Sequence, residues 1–282
     1  MATQVNSFAG LSLDRSRIMG IINVTPDSFS DGGDAYRPDD AIRLGKSMVD
    51  AGADILDIGG ESTRPGSKEI FKDEELRRII PVIEGLLPTG VLVSIDTRHA
   101  DVMRVAIDAG AHLINDVTAL DGDPKSLDAA AQLGCPVVLM HMQGEPGSMQ
   151  EAPAYRDAPA EISDYLAERI AACERAGIHR SKIAIDPGIG FGKTVDHNLQ
   201  ILNKIDMLHD HGCAVVLGVS RKSFIGAVAS IPEPKNRMPG SIASAVYART
   251  KGVQIFRVHD VDETRQALSV CDHIQNVYEE GE

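Results

Sequence analysis

The chain is predicted to fold as a (β/α)8 TIM barrel in the α/β class, on three observations. Short apolar runs bounded by turn residues recur eight times along the 282 residues, and a segment of helical periodicity or composition follows each one. Several runs, such as Pro-Val-Val-Leu-Met and Ala-Val-Val-Leu-Gly-Val, are uninterrupted aliphatics, as expected of strands buried on both faces of a parallel sheet. An open doubly wound sheet is the alternative, but eight βα units in this length favour closure.

In chain order the strand-like runs are 18–23, 55–59, 91–96, 112–116, 136–141, 183–186, 214–220 and 255–259. The helical segments between and after them are about 39–51, 73–87, 99–109, 124–133, 159–177, 195–211 and 239–251, then 262 to the C-terminus. The first run stops at Asn23 and opens into a polar loop with Thr25, Asp27, Phe29 and Asp31 that ends at Gly32-Gly33, too dense a set of functional groups for a simple connection. Many of the helical segments end at a glycine (Gly52, Gly110, Gly134, Gly177, Gly212, Gly252) just before the next strand, the expected C-terminal cap. The longest irregular stretch, about 143–158, follows the fifth run and reads as a lid or a structural cover. No Pro/Ser linker or composition shift divides the chain, so one domain is expected over 1–282, with a core at about 18–270.

Composition narrows the function classes. Hydrophobic residues make up 43% of the chain and aromatics only 4%, with no Trp, which suits aliphatic α/β packing. The four cysteines are far apart and form neither a CxxC pair nor a zinc-like cluster, which fits a reducing cytoplasm. The N-terminus lacks a signal-like region, and no apolar run is long enough to span a membrane. A formal net charge of -13 disfavours nucleic acid and anionic membrane as partners, so an anionic ligand must meet a local cluster of Arg and Lys.

Each run ends at or beside a polar residue: Asn23, Asp57, Asp96, Asn115 with Asp116, His141, Asp186, Ser220 followed by Arg221 and Lys222, and Arg257 with His259. One such residue alone is usually a cap or turn residue. Eight around the C-terminal rim of a barrel form a candidate active site. Asp57, Asp96, Asn115 and Asp186 are acceptors or amides suited to a heterocycle rich in N–H groups, and Lys222 could present a donor to the same ring. Arg64, Arg257 and His259 offer donors to an anion, phosphate above all. Asn23 could supply a neutral oxygen to Mg2+, an ion that keeps most of its waters and bridges to substrate phosphates. Residues 186–193 match neither a dinucleotide fingerprint nor a Walker loop, and 218–222 lacks the second glycine of a nucleophile elbow. His141 reads as a structural rim residue. With no activated protein nucleophile, the chemistry rests on positioning and electrostatics.

Seven segments in order carry a resemblance spanning about 18–267: 23–33 (NVTPDSFSDGG), 57–66 (DIGGESTRPG), 94–97 (SIDT), 114–116 (IND), 186–193 (DPGIGFGK), 220–223 (SRKS) and 257–260 (RVHD). The chain resembles the dihydropteroate synthases, a family of pterin-binding enzymes. The resemblance implies condensation of 6-hydroxymethyl-7,8-dihydropterin diphosphate with para-aminobenzoate to 7,8-dihydropteroate and pyrophosphate. By matching position it implies a pterin pocket of Asp57, Asp96, Asn115, Met140, Asp186, Phe191 and Lys222. The diphosphate site falls on Asn23 through Mg2+, Arg64, Arg257 and His259, and the para-aminobenzoate site on Phe29, Thr63, Pro65 and Ser223. The implied mechanism is dissociative, with Asp31 stabilising the pterin methylene cation and Arg64, Lys222, Arg257 and His259 assisting. It further implies a cytoplasmic homodimer assembled through the late helices, and sensitivity to sulfonamides. A pterin-barrel methyltransferase would have no use for the anion cluster or the arylamine loop, and a non-catalytic pterin-binding paralogue should have lost residues that are present here.

Overall fold

A computed structural model of the chain describes residues 5–25, 38–62, 70–145 and 147–277. It opens with a small antiparallel hairpin, β1 (Ser7–Phe8) and β2 (Leu11–Ser12). The barrel strands follow as β3 (Arg17–Asn23), β4 (Ile55–Gly59), β5 (Leu92–Asp96), β6 (Leu113–Asp116), β7 (Val137–Met140), β8 (Ile183–Asp186), β9 (Ala214–Leu217) and β10 (Ile255–Val258). Neighbours pair in parallel, and β10 closes the ring by pairing with both β9 and β3. The helices are α1 (Pro38–Asp50), α2 (Lys72–Leu86), α3 (Ala100–Asp108), α4 (Ser126–Leu133), α5 (Ala158–Arg175), α6 (Val195–Asn203), α7 (Ser223–Ala229), α8 (Met238–Thr250) and α9 (Val261–Asn276). The (β/α)8 architecture expected from the alternating runs is the one observed, with strand ends displaced by at most three residues.

Two buried clusters correspond to the two faces of the strands. Ile18, Ile22, Leu56, Ile58, Val93, Ile95, Ile114, Leu139 and Ile185 point outward and pack beneath the helices. Met19, Ile55, Leu113, Val138, Ala184, Ala214, Val216 and Ile255 take the alternate positions and fill the lower barrel together with Phe8 and Leu13. The hairpin therefore plugs the N-terminal mouth of the barrel, a role hidden in the sequence because its strands are only two residues long. Closure is reinforced below: the buried Asp272 of α9 accepts from Ser16 N at 2.8 Å and Ser16 Oγ at 3.0 Å, and also from Arg249 Nε of α8.

The six glycines expected as helix stops all have positive φ, between 63° and 108°. Two segments differ from expectation. The stretch 195–211 divides at Lys204 into α6 and a 3-10 turn, Ile205–His211. That turn is tied outward by His211 Nε2 to Ser163 Oγ at 2.8 Å and by His209 Nε2 to Lys251 O at 3.0 Å. Helix α7, at seven residues, is too short to show a periodicity and precedes the expected α8.

Phe8 is buried against the lower core, so Phe8→Ala removes a large side chain from a closed site. We expect a loss of about 3–5 kcal/mol in urea unfolding. A loss below about 1 kcal/mol would mean that the hairpin is not part of the cooperative fold.

Candidate active site

Strand parity decides which rim residues meet. Asn23, Asp57, Asp96, Asn115, Met140, Asp186 and Arg257 share the alternation of the inward core residues on their own strands. Register sets Asp96 beside Asn115 and Met140 beside Asp186. Asp116 has the opposite parity. Its Oδ1 accepts from Thr118 N and Thr118 Oγ1, both at 2.7 Å, and its Oδ2 from Leu120 N at 3.1 Å. It holds the turn after β6, in which Ala119 and Leu120 both have positive φ, and takes no part in the cluster.

Inside the barrel, Arg257 joins two carboxylates. Its Nε donates to Asp57 Oδ2 and its Nη2 to Asp96 Oδ2, each at 2.6 Å. Asn115 Nδ2 donates to the same Asp57 oxygen at 3.0 Å. The other oxygen, Asp57 Oδ1, is fully buried and has no hydrogen-bond partner among the described residues. Burial works against the charged guanidinium, but Asp57 and Asp96 outweigh it and hold the Arg257 pKa above its ordinary value. Burial pushes the Asp96 carboxyl up to about 7 against the opposing charge of Arg257, with Asp57 adding to the rise.

Asp186 lies on the far wall. Burial raises its pKa, opposed first by the hydrogen bond that Gly188 N donates to Oδ1 at 2.7 Å and then by Lys222 and Arg257. Lys222 immediately precedes α7 and holds its Nζ over the Phe191 ring, 4.1 Å from the centroid. The adjacent Arg221 points elsewhere: its guanidinium is paired with Asp260, Nε to Oδ2 at 3.0 Å, and its backbone sits at φ 58°. Ser223, first residue of α7, is exposed at the rim.

His259 is oriented by Ser220, a strand-end residue to which the sequence reading gave no role of its own. Ser220 Oγ accepts from His259 N at 3.2 Å and lies 2.9 Å from His259 Nδ1. With Oγ donating to Nδ1, the imidazole proton resides on Nε2, where it can be donated to an anion. Asn23 ends β3, half-buried. Phe29, Asp31, Thr63, Arg64 and Pro65 lie outside the described residues.

Three buried polar arrangements around the site carry no signature in residue spacing. Arg98 makes a two-pronged pair with Glu61, at 3.1 and 3.2 Å. His99 Nδ1 meets the buried Glu75 at 2.9 Å. Lys193 Nζ lies 3.0 Å from His141 Nδ1. Burial first and Lys193 second push the His141 pKa down to about 3, so the imidazole is neutral, in keeping with a structural residue at the rim.

A set of acceptors around Arg257 inside the barrel thus lies beneath Lys222 and His259 at the strand ends. Together they can bind a ring rich in N–H donors at depth and an anionic substituent near the mouth.

The raised pKa of Asp96 has a defined sign. From about pH 4 to pH 7 the folded state retains a proton that the unfolded carboxyl releases, so stability from this group is complete below that window and is lost as pH rises through it. The stability of the wild type relative to Asp96→Asn should fall between about pH 4 and pH 7 in urea titrations. A difference independent of pH would show that Asp96 is already ionised at the acid end.

A family model described as pterin binding enzyme matches residues 19–259. The dihydropteroate synthase of Escherichia coli (strain K12) is 48% identical over 266 residues, covering 93% of this chain and 94% of the relative. The Yersinia pestis dihydropteroate synthase, solved in complex with a sulfonamide drug, superposes with a TM-score of 0.90 at 46% identity, covering 95% of this chain and 98% of that one. The Xanthomonas albilineans dihydropteroate synthase in complex with 7,8-dihydropteroate gives a TM-score of 0.87 at 45% identity, covering 98% and 100%. Matched along nearly its whole length in both sequence and fold, the chain belongs to the dihydropteroate synthases of the pterin-binding enzyme family.

Proposed function

We propose that the chain condenses 6-hydroxymethyl-7,8-dihydropterin diphosphate with para-aminobenzoate, giving 7,8-dihydropteroate and pyrophosphate for folate biosynthesis. The observation that carries this reading is the inner cluster of Asp57, Asp96, Asn115 and Asp186 around Arg257, with Lys222 over Phe191 on its edge. A pterin presents an exocyclic amine and ring N–H groups to carboxylates, and a flat face to Phe191 and Met140. A buried carboxylate is costly unless paired, and the ring supplies the donors.

The reaction breaks the bond between the pterin methylene carbon and the diphosphate oxygen, and both electrons leave with the oxygen. The aryl amine then forms the C–N bond through its lone pair and releases a proton. His259, Arg257 and Arg64 bind the departing anion, while Asp31 stabilises the cation left on the pterin. Phe29, Thr63, Pro65 and Ser223 hold para-aminobenzoate at the mouth. Asn23 would hold Mg2+: a single half-buried neutral oxygen at the end of β3 suits an ion that keeps its waters and takes further oxygens from phosphate. When bound, the ion neutralises charge on the diphosphate.

Supporting the cytoplasmic assignment, all four cysteines are unpaired. No helix among the described residues is long and apolar enough to cross a membrane. The single barrel acts as one domain, and a homodimer would bury the exposed Tyr247 of α8 and the Val270 and Ile274 of α9. Sulfonamides, which mimic the aryl amine, should inhibit.

Incubation with pterin diphosphate, para-aminobenzoate and Mg2+ should yield dihydropteroate and pyrophosphate, and omission of Mg2+ should suppress both. Product formation without pyrophosphate release would overturn the reading. Asp186→Ala, with its circular dichroism intact, should abolish pterin-diphosphate binding in calorimetry, whereas near wild-type affinity would remove Asp186 from the pocket. Arg257→Ala is a poorer probe of the anion site, because it strands two buried carboxylates at a cost of about 3–5 kcal/mol. His259→Ala is the cleaner test: the inhibition constant for pyrophosphate should rise while affinity for 6-hydroxymethylpterin stays the same.

A further inference from the structure

The connection from β8 to α6 is fastened by a buried lysine. Lys193 is only 3% exposed, and its Nζ donates to Phe191 O at 2.9 Å and to His141 O at 3.3 Å while lying 3.0 Å from His141 Nδ1. An ammonium group has three N–H donors, and here they meet three uncharged acceptors, with no carboxylate in hydrogen-bond contact among the described residues. Burial drives the Lys193 pKa well below the ordinary value, Asp186 opposing and Lys222 adding to the fall. Burying an amine in this way is expensive, whereas a methionine would fill similar space without the penalty. The amine therefore has a task that methionine could not perform.

The surrounding geometry identifies that task. A Cβ on Gly188 would lie 1.9 Å from His141 O, and one on Gly192 would lie 2.3 Å from Gln143 O, so the loop rests directly on the backbone beyond β7. Both glycines also have positive φ, 69° and 63°, which a side chain would strain. Asn198 Oδ1 accepts from Gly190 N at 2.7 Å, and Tyr155 OH donates to Gly192 O at 3.0 Å. Phe191 is held at both ends of its backbone, by Gly188 O accepting from its N–H at 3.1 Å and by Lys193 on its carbonyl. Its ring then carries Lys222 Nζ.

We infer that Lys193 is a positioning residue for the pterin pocket: by gripping Phe191 O and the end of β7 together, it fixes the Phe191 ring and, through it, the ammonium of Lys222. It touches no substrate. This inference rests on the pterin-binding reading given above, and it assigns Lys193 to pterin affinity rather than to aryl-amine affinity.

The test compares wild type with Lys193→Met and Lys193→Gln. In the ligand-free protein, Lys193→Met should speed amide hydrogen exchange across 188–192 while leaving the barrel strands protected. Calorimetry with 6-hydroxymethylpterin should show about tenfold weaker binding, with a parallel rise in KM for pterin diphosphate. The KM for para-aminobenzoate should change less than about twofold, and Lys193→Gln, which keeps a donor for the Phe191 carbonyl, should fall between the two. Losses from Lys193→Met and Phe191→Leu should be non-additive in the double variant, since both act on the same ring. Unchanged loop exchange, additive losses, or an equal rise in both KM values would overturn the inference. If Lys193→Met fails to fold, Lys193→Gln decides by the same readouts. Should the wild type bind no pterin, the functional reading fails, while the exchange measurement still judges the grip on the loop.

Discussion

Two acidic side chains on neighbouring strands cannot be buried inside a barrel unless something answers their charge, and here Arg257 answers both. The arrangement exists only because the sheet is closed. Arg257 stands on β10, its partners on β4 and β5, and β3 lies between β10 and β4, so the guanidinium must reach across the interior. Asn115 then reads out the same Asp57 oxygen from β6, and four strands become fixed to one another through a few polar atoms. A cluster of this kind is costly to bury and unforgiving of a lost partner. Its place in the upper half of the barrel, over an aliphatic lower half sealed by the hairpin, confines that cost to the region where a ligand can offset it.

Around this centre the wall of the pocket is built from tightly bonded loops. On the β8 side, glycines let the chain lie against the backbone after β7, while Asn198, Tyr155 and Lys193 satisfy its polar groups. On the β9 side, Arg221 pairs with Asp260 and accepts at its carbonyl from Arg237 Nη1 at 3.1 Å, which fixes the turn from which Lys222 projects. On the β10 side, Ser220 orients His259. Phe191, Lys222 and His259 are therefore held by supports outside the acidic cluster, the arrangement that preorganisation requires.

How much of this was legible in the sequence depended on the range of the signal. Strands and most helices announce themselves locally, through aliphatic runs and glycine stops, so the barrel and its rim could be read without coordinates. Parity also lies in the sequence: Asn115 and Asp116 are adjacent, and only one of them can share the inward face. Pairing cannot be read this way. Nothing in the spacing ties Arg257 to Asp57, Glu75 to His99, or Lys193 to His141, because those contacts join separate βα units, 200, 24 and 52 residues apart, and the first of them needs the barrel to close. The hairpin and α7 escaped for a different reason: elements of two and seven residues are shorter than the periods by which structure is detected.

Sorting the rim residues by charge suggested separate pterin and anion sites, yet Arg257, expected in the anion site, is bonded within the acidic cluster. Two of its nitrogens are taken by the acidic cluster, so it cannot swing out to follow an anion without stranding Asp57 and Asp96. In the proposed reaction it therefore acts as a fixed charge at the seam. Three carboxylates, Asp57, Asp96 and Asp186, face two cations, Arg257 and Lys222, and this imbalance favours a positive charge developing on the pterin methylene. The same imbalance repels a diphosphate. In that reaction the leaving group must then be met by His259 at the rim, which separates the two charges as the bond breaks. Asp96 sets the size of the imbalance: with its carboxyl held near 7, protonation in mild acid would erase the negative excess on which the separation depends.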